Sequence, residues 1–178
     1  MDVQYRNGVS ALPVPLPFEL MHLAILLVLI AIASAAQAEP FAGKVVGVAD
    51  GDTLTVLDGE KRQHVIRLAE IDAPEKGQAF GNRSKQHLSA LCFGKTAVVV
   101  PRTTDRYRRT VARVECEGTD ASAEQVHAGL AWVFDRYVTD RGLYAVQDEA
   151  RRAERGLWAD RDAVAPWDWR RNGRQQPL

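Results

Sequence analysis

A chain of 178 residues is the length of one domain with extensions, and a hydrophobic share of 46% is ample for a core. Its 23 basic and 23 acidic side chains cancel to a formal charge of zero, which excludes coating of DNA by bulk charge. Any nucleic-acid contact must come from local clusters and from a bound cation, and there is no repeat or low-complexity tract to suggest a solenoid or a disordered chain.

In chain order, residues 23–36 form a short apolar run that ends at Ala36-Gln37-Ala38. Small residues on both sides of Gln37 fit a signal-peptidase site, with cleavage expected before Glu39 and secretion or a periplasmic location as the result. The run is short for a membrane span, which needs about 20 apolar residues. Only Arg6 supplies a basic n-region, and a start at Met21 would give a leader of ordinary length; an uncleaved anchor and a buried helix are the alternatives. Removing residues 1–38 takes away Asp2, Arg6 and Glu19 and leaves 22 basic and 21 acidic residues, a formal +1.

Residues 43–49 read as a β-rich strand, 53–57 as a second and 65–69 as a third, with Asp58-Gly59 marking a tight hairpin turn between the last two. Strands are also expected over 96–101, around Val98-Val99-Val100, and over 110–115. Phe80, Ser84, Leu88 and Leu91 share one face of a helix over 79–92. Ser122-Ala-Glu-Gln125 reads as a capping box opening a second helix with Val126 and Leu130. Leu143, Val146, Ala150 and Ala153 make the apolar face of a third, with Gly156 as its stop. Five short strands with β-branched cores suggest a small closed barrel in an α+β domain. The tail, residues 161–178, is aromatic and basic around Pro166-Trp167-Asp168-Trp169-Arg170-Arg171; its tryptophans either dock on the domain or stack on nucleic acid.

Three segments carry chemistry: Asp50-Gly51-Asp52-Thr53, Arg67 through Glu75 (Arg-Leu-Ala-Glu-Ile-Asp-Ala-Pro-Glu), and Asp105-Arg-Tyr-Arg-Arg109. Asp52 lies between a glycine turn and a strand, and Asp72 just past the third strand, so a sheet or barrel is needed to bring them together. Two close carboxylates repel, and a divalent cation removes that conflict. An oxygen-only donor set favours calcium or magnesium over zinc. Alternation puts Arg67 on the strand face opposite Ile66 and Leu68. Guanidinium forks at Arg67 and Arg109 suit a phosphate. His22, His64, His87 and His127 are scattered and match no zinc or histidine-metal site. Cys92 and Cys116 can pair in an oxidising compartment; two independent buried thiols are the alternative.

In order and spacing, these segments resemble the staphylococcal nuclease (thermonuclease) family over residues 43–160. The resemblance implies a five-stranded oligonucleotide-binding barrel with three helices. It implies calcium held by Asp52, Asp72 and the backbone carbonyl of Ala73, a position where the family's best-known member carries Thr. Asp50 matches a neighbouring acid. Glu75 would orient or deprotonate the attacking water, and Arg67 and Arg109 would clamp the phosphate. Tyr137 matches a nucleotide-pocket tyrosine, whereas a second such tyrosine is replaced by Asp135. Arg108 stands where the family usually has a glycine, and Tyr107 is assigned to packing. The implied activity is a calcium-dependent endonuclease acting on single-stranded or unwound DNA and RNA, leaving 3′-phosphate ends, as a monomer free of the membrane after cleavage. A non-catalytic nucleic-acid or protein binding module of the same fold is the alternative from another class.

Overall fold

The computed structural model describes residues 39–173; the expected leader and the closing residues 174–178 lie outside them. The barrel is built from β1 (Phe41–Val48), β2 (Thr53–Asp58), β3 (Gln63–Leu68), β5 (Thr96–Thr104) and β6 (Thr110–Cys116). A two-residue β4 (Ile71–Asp72) follows β3, and a two-residue β7 (Thr119–Asp120) follows β6. The order along the main sheet is β3-β2-β1-β5-β6-β7, antiparallel throughout. A parallel pairing of β3 with β6, Ile66 opposite Thr110 and Leu68 opposite Ala112, joins the two sides and closes the barrel.

Alternation explains which side chains fill it. Val99 is fully buried, whereas its neighbours Val98 and Val100 face outward; Val56, Ile66, Leu68, Ala112 and Val114 complete the interior. The β2–β3 connection is longer than an Asp-Gly turn. Asp58 Oδ1 accepts from the N–H groups of Glu60 and Arg62, and the positive φ falls on Lys61 at 62°. The side-chain acceptor of Asp58 therefore sets this turn, and Gly59 does not.

Helix α1 (Gly81–Cys92) buries Ser84, Leu88 and Cys92 against the barrel. Helix α2 (Ala121–His127) is capped by Asp120, whose carboxylate accepts from the N–H of Ala123. The capping box expected at Ser122 is not formed: Ser122 lies inside the first turn and donates to the carbonyl of Ala69, while Gln125 is buried. Strand β8 (Trp132–Val133) pairs antiparallel with β4, setting Trp132 opposite Asp72. Helix α3 (Gly142–Arg152) buries Leu143 and Ala150, with Ala153 outside as its C-cap, and a 3₁₀ turn follows at Gly156–Ala159.

The tail contributes a further helix, α4 (Pro166–Gly173), with proline at its start where a missing N–H costs nothing. Trp167 stacks on Phe134 at 5.3 Å between ring centroids and 4° between planes, and meets Trp132 edge-on at 6.0 Å. The Sγ atoms of Cys92, closing α1, and Cys116, closing β6, are bonded to each other.

Candidate active site

The acids converge because the barrel closes at one rim. Thr53, opening β2, pairs with Arg67 near the end of β3, and the N–H of Leu68 bonds the carbonyl of Asp52 at 2.8 Å. Asp52 Oδ2 in turn accepts from the N–H of Ala73 at 2.7 Å, which ties the first acid loop to the segment bearing Asp72. Behind the Asp50-Gly51-Asp52 turn stands a buried amide: Gln125 Nε2 donates to the carbonyl of Gly51 at 2.5 Å and to Ser84 Oγ at 3.1 Å. Gly51 is required there, since a Cβ would lie 2.7 Å from Ser84 Cβ and 2.8 Å from Ala73 Cβ.

Arg67 sits between the carboxylates. Its Nη2 donates to Asp72 Oδ1 at 2.7 Å, and its Nη1 is in close ion contact with Asp52 Oδ2. Asp52 and Asp72 are 5% and 1% exposed, so this charge cluster is almost dry. Burial pushes the Asp72 carboxyl up, against hydrogen bonds from Arg170 and the attraction of Arg67. Burial and then the charge of Asp52 push Asp50 up to about 6. Desolvation weakens the Arg67 cation, but the fields of Asp52 and Asp72 outweigh it and hold it protonated.

Arg109 is brought to the same rim from the turn before β6. Asp105 holds it, accepting from the Arg109 N–H at 2.9 Å and from Nε at 2.8 Å, and Nη1 reaches Thr53 Oγ1 at 3.3 Å. Thr53 Oγ1 also donates to Asp52 Oδ1 at 3.2 Å, linking the second arginine to the acids. Arg108 adopts φ of 64°, the left-handed backbone that glycine takes without strain. Tyr107 is not a packing residue of the core: it is 64% exposed, with the Arg106 guanidinium 4.7 Å and that of Arg109 5.5 Å from its ring centroid.

Glu75 is partly exposed, and its Oε1 accepts from Arg170 Nη1 at 2.6 Å. The same guanidinium bonds Asp72 Oδ2 through Nη2 at 2.6 Å and Asp72 Oδ1 through Nη1 at 3.2 Å. Tyr137 stands apart from the acids, exposed, edge-on to Phe134 at 5.0 Å and under the Arg136 guanidinium. Asp135 accepts from the Tyr144 hydroxyl. The site thus assembles Asp52, Arg67, Asp72, Ala73, Glu75 and Arg109, while the ring contacts of Tyr137 are with Phe134 and Arg136.

Three residues of this arrangement escaped sequence reasoning as site members. Asp105 could have been found from its four-residue spacing to Arg109. Gln125 lay in an apparent capping motif, and Arg170 in a tail with no local tie to the acids.

Among the described residues no group of three or more His, Cys, Asp or Glu side chains stands ready to hold a metal. A cation here would rest on the Asp52 and Asp72 oxygens, completed by backbone carbonyl and water. That is how hard divalent ions are often held. The donors fit such an ion: they are oxygen only, and Asp52 and Asp72 are buried carboxylates brought together around Arg67, whose mutual repulsion a cation relieves.

The family model described as "Staphylococcal nuclease homologue" matches residues 65–160. An "Uncharacterized endonuclease" of Escherichia coli O157:H7 is 46% identical over 129 residues, 72% of this chain and 84% of the relative. The "Micrococcal nuclease" of Shigella flexneri is 43% identical, covering 74% and 81%. "Staphylococcal-like nuclease CAN1" of Arabidopsis thaliana is 36% identical over 61% of this chain and 34% of its own. Matching model, relatives and closed barrel together show that the chain belongs to the staphylococcal nuclease family.

Proposed function

We propose that the chain is an exported, calcium-dependent endonuclease that hydrolyses phosphodiester bonds of DNA and RNA without regard to the sugar and leaves 3′-phosphate ends. Nuclease activity follows from membership of the family and from relatives named endonuclease and micrococcal nuclease. The finer reading is carried by one observation: two buried carboxylates, two arginines and a partly exposed glutamate meet at one rim of the barrel. Export is supported by the leader pattern and by the Cys92–Cys116 bond, which persists in an oxidising compartment.

A divalent cation held by Asp52 and Asp72 would supply Lewis-acid polarisation of a phosphoryl oxygen and would offset the charge of the two acids. Glu75 orients the attacking water and takes its proton as the oxygen bonds to phosphorus. The bond from phosphorus to the 5′-oxygen then breaks, that oxygen takes a proton from solvent, and the phosphate is left on the 3′ side. Arg67 and Arg109 donate to the phosphoryl oxygens, whose charge peaks in the five-coordinate transition state. Asp105 presents Arg109 by holding its Nε, which leaves the outer edge of the fork for phosphate. Exposed Tyr107, next to Arg109, offers a ring that an unstacked base can approach, which suits single-stranded or unwound substrate. The chain acts as a monomer.

Cleavage of heat-denatured DNA with calcium and with excess chelator tests this reading. Chelation should abolish hydrolysis while the circular dichroism of the barrel is kept, and Asp52→Asn should mimic it. Full activity in chelator would refute the cation assignment.

A further inference from the structure

Helix α4 lies beyond residues 65–160, the segment the family model matches, yet it sends a charged group into the acid cluster. We propose that Arg170 is a positioning residue of the active site, fixing Glu75 against Asp72 so that the glutamate faces the attacked phosphate. This deepens the functional reading above and rests on the role given there to Glu75.

The placement follows from the fold. Trp132 on β8 is the register partner of Asp72 on β4. Trp167 packs on Trp132 and Phe134, which seats α4 beside Asp72. Arg170 is three residues on from Trp167, on the same helical face, so docking the tryptophan aims the guanidinium at the acids. There it spans two carboxylates, with Nη2 on Asp72 Oδ2 at 2.6 Å and Nη1 on Glu75 Oε1 at 2.6 Å. A planar fork holds the two carboxylates in a fixed relation, whereas the three rotatable donors of a lysine ammonium on its flexible stem set no such plane.

Charge balance argues that Arg170 stays in place during turnover. Asp50, Asp52, Asp72, Glu75 and Asp105 carry five negative charges when ionised, and Arg67, Arg109 and Arg170 carry three positive ones. A divalent cation then brings the cluster to neutrality. Without Arg170 the loaded site would keep a net negative charge and repel the phosphate it must bind.

Full-length wild type, Arg170→Gln, Arg170→Lys, Glu75→Gln and the Arg170→Gln/Glu75→Gln double variant decide the matter. The measurements are kcat and KM on denatured DNA at saturating calcium, calcium affinity by titration calorimetry, and thermal melting. Arg170→Gln should lower kcat by about 10- to 100-fold, the scale of a misaimed group, with KM changed less. Calcium should bind it more tightly, by about 3- to 10-fold, because a positive charge has left the cluster. Arg170→Lys should recover only part of kcat. In the Glu75→Gln background, loss of Arg170 should cost almost nothing further, the mark of action through Glu75. Tighter calcium binding with faster turnover would make α4 an inhibitory plug and overturn the proposal. So would a melting loss in both Arg170 variants with kcat intact, or costs that add fully in the double variant. If Glu75→Gln itself keeps wild-type kcat, the functional reading falls and this proposal with it; if Glu75→Gln is inactive and Arg170→Gln is not, the proposal alone falls.

Discussion

Removing the bridge between Cys92 and Cys116 should destabilise the domain without touching its chemistry. The two residues are 24 apart in sequence, and both are buried. In the chain-entropy model, releasing a loop of that length returns about 3.5 kcal/mol of freedom to the unfolded chain. At roughly 3 °C per kcal/mol for a domain of this size, the double variant Cys92→Ser/Cys116→Ser should melt about 10 °C lower. Reductant should lower wild type similarly and leave the variant unmoved. Well below the melting point kcat should be unchanged, because Cys116 closes β6 at the end opposite Thr110, where the strand approaches Arg67 and Arg109. Melting followed by circular dichroism, with and without reductant, measures the first effect, and cleavage of denatured DNA the second. A shift under about 2 °C would refute the loop-closure reasoning. Two reactive thiols per chain in denatured, unreduced protein would refute the bridge.

Two further outcomes follow from the turn before β6 and from the loop after β8. Arg109→Ala should lower kcat by about 10²–10³ with less change in KM, Arg109→Lys should rescue little, and Arg108→Gly should keep activity while gaining up to about 1 kcal/mol by relieving φ of 64°; wild-type kcat in Arg109→Ala would remove Arg109 from the clamp. Glu70 is buried, which pushes its carboxyl up, but Thr139 Oγ1, the N–H groups of Asp140 and Thr139, and Arg102 outweigh this and bring it from 4.5 down to about 2. A depressed acid contributes stability that is complete above pH 4.5 and is lost as pH falls toward about 2, so Glu70→Gln should melt lower at neutral pH and show a flatter acid limb; parallel pH profiles of melting for variant and wild type would contradict this.

Much of the barrel was legible because its cues are local. Val98-Val99-Val100 alternates out, in, out, and Arg67 stands between two buried neighbours, as period-2 reading requires. The Asp50-Gly51-Asp52 turn and the Asp105–Arg109 turn were visible as motifs, and the strained backbone at Arg108 showed as a residue standing where a glycine is usual. What stayed hidden was non-local. Asp120 takes the cap that Ser122 was expected to supply, because the helix begins at Ala121 and Ser122 already lies buried inside its first turn. Helix α4 is too short and polar for periodicity to reveal it, and Arg170 meets Asp72 across 98 residues through a tryptophan contact that no pattern encodes. Its three-residue spacing from Trp167 was the one available sign.

The parallel seam between β3 and β6 also determines when the enzyme can exist. Arg67 lies in β3 and Arg109 in the turn that leads into β6, and these strands meet only where the sheet curls round on itself, so no hairpin or isolated helix holds both. Pairings this distant in sequence form late and slowly, after the entropy of a long loop has been surrendered. A nascent or partly folded chain would carry every chemical group of the clamp and none of its geometry. Hydrolysis is therefore a report on completed closure, and a chain whose barrel is still open would be harmless to the nucleic acids it meets.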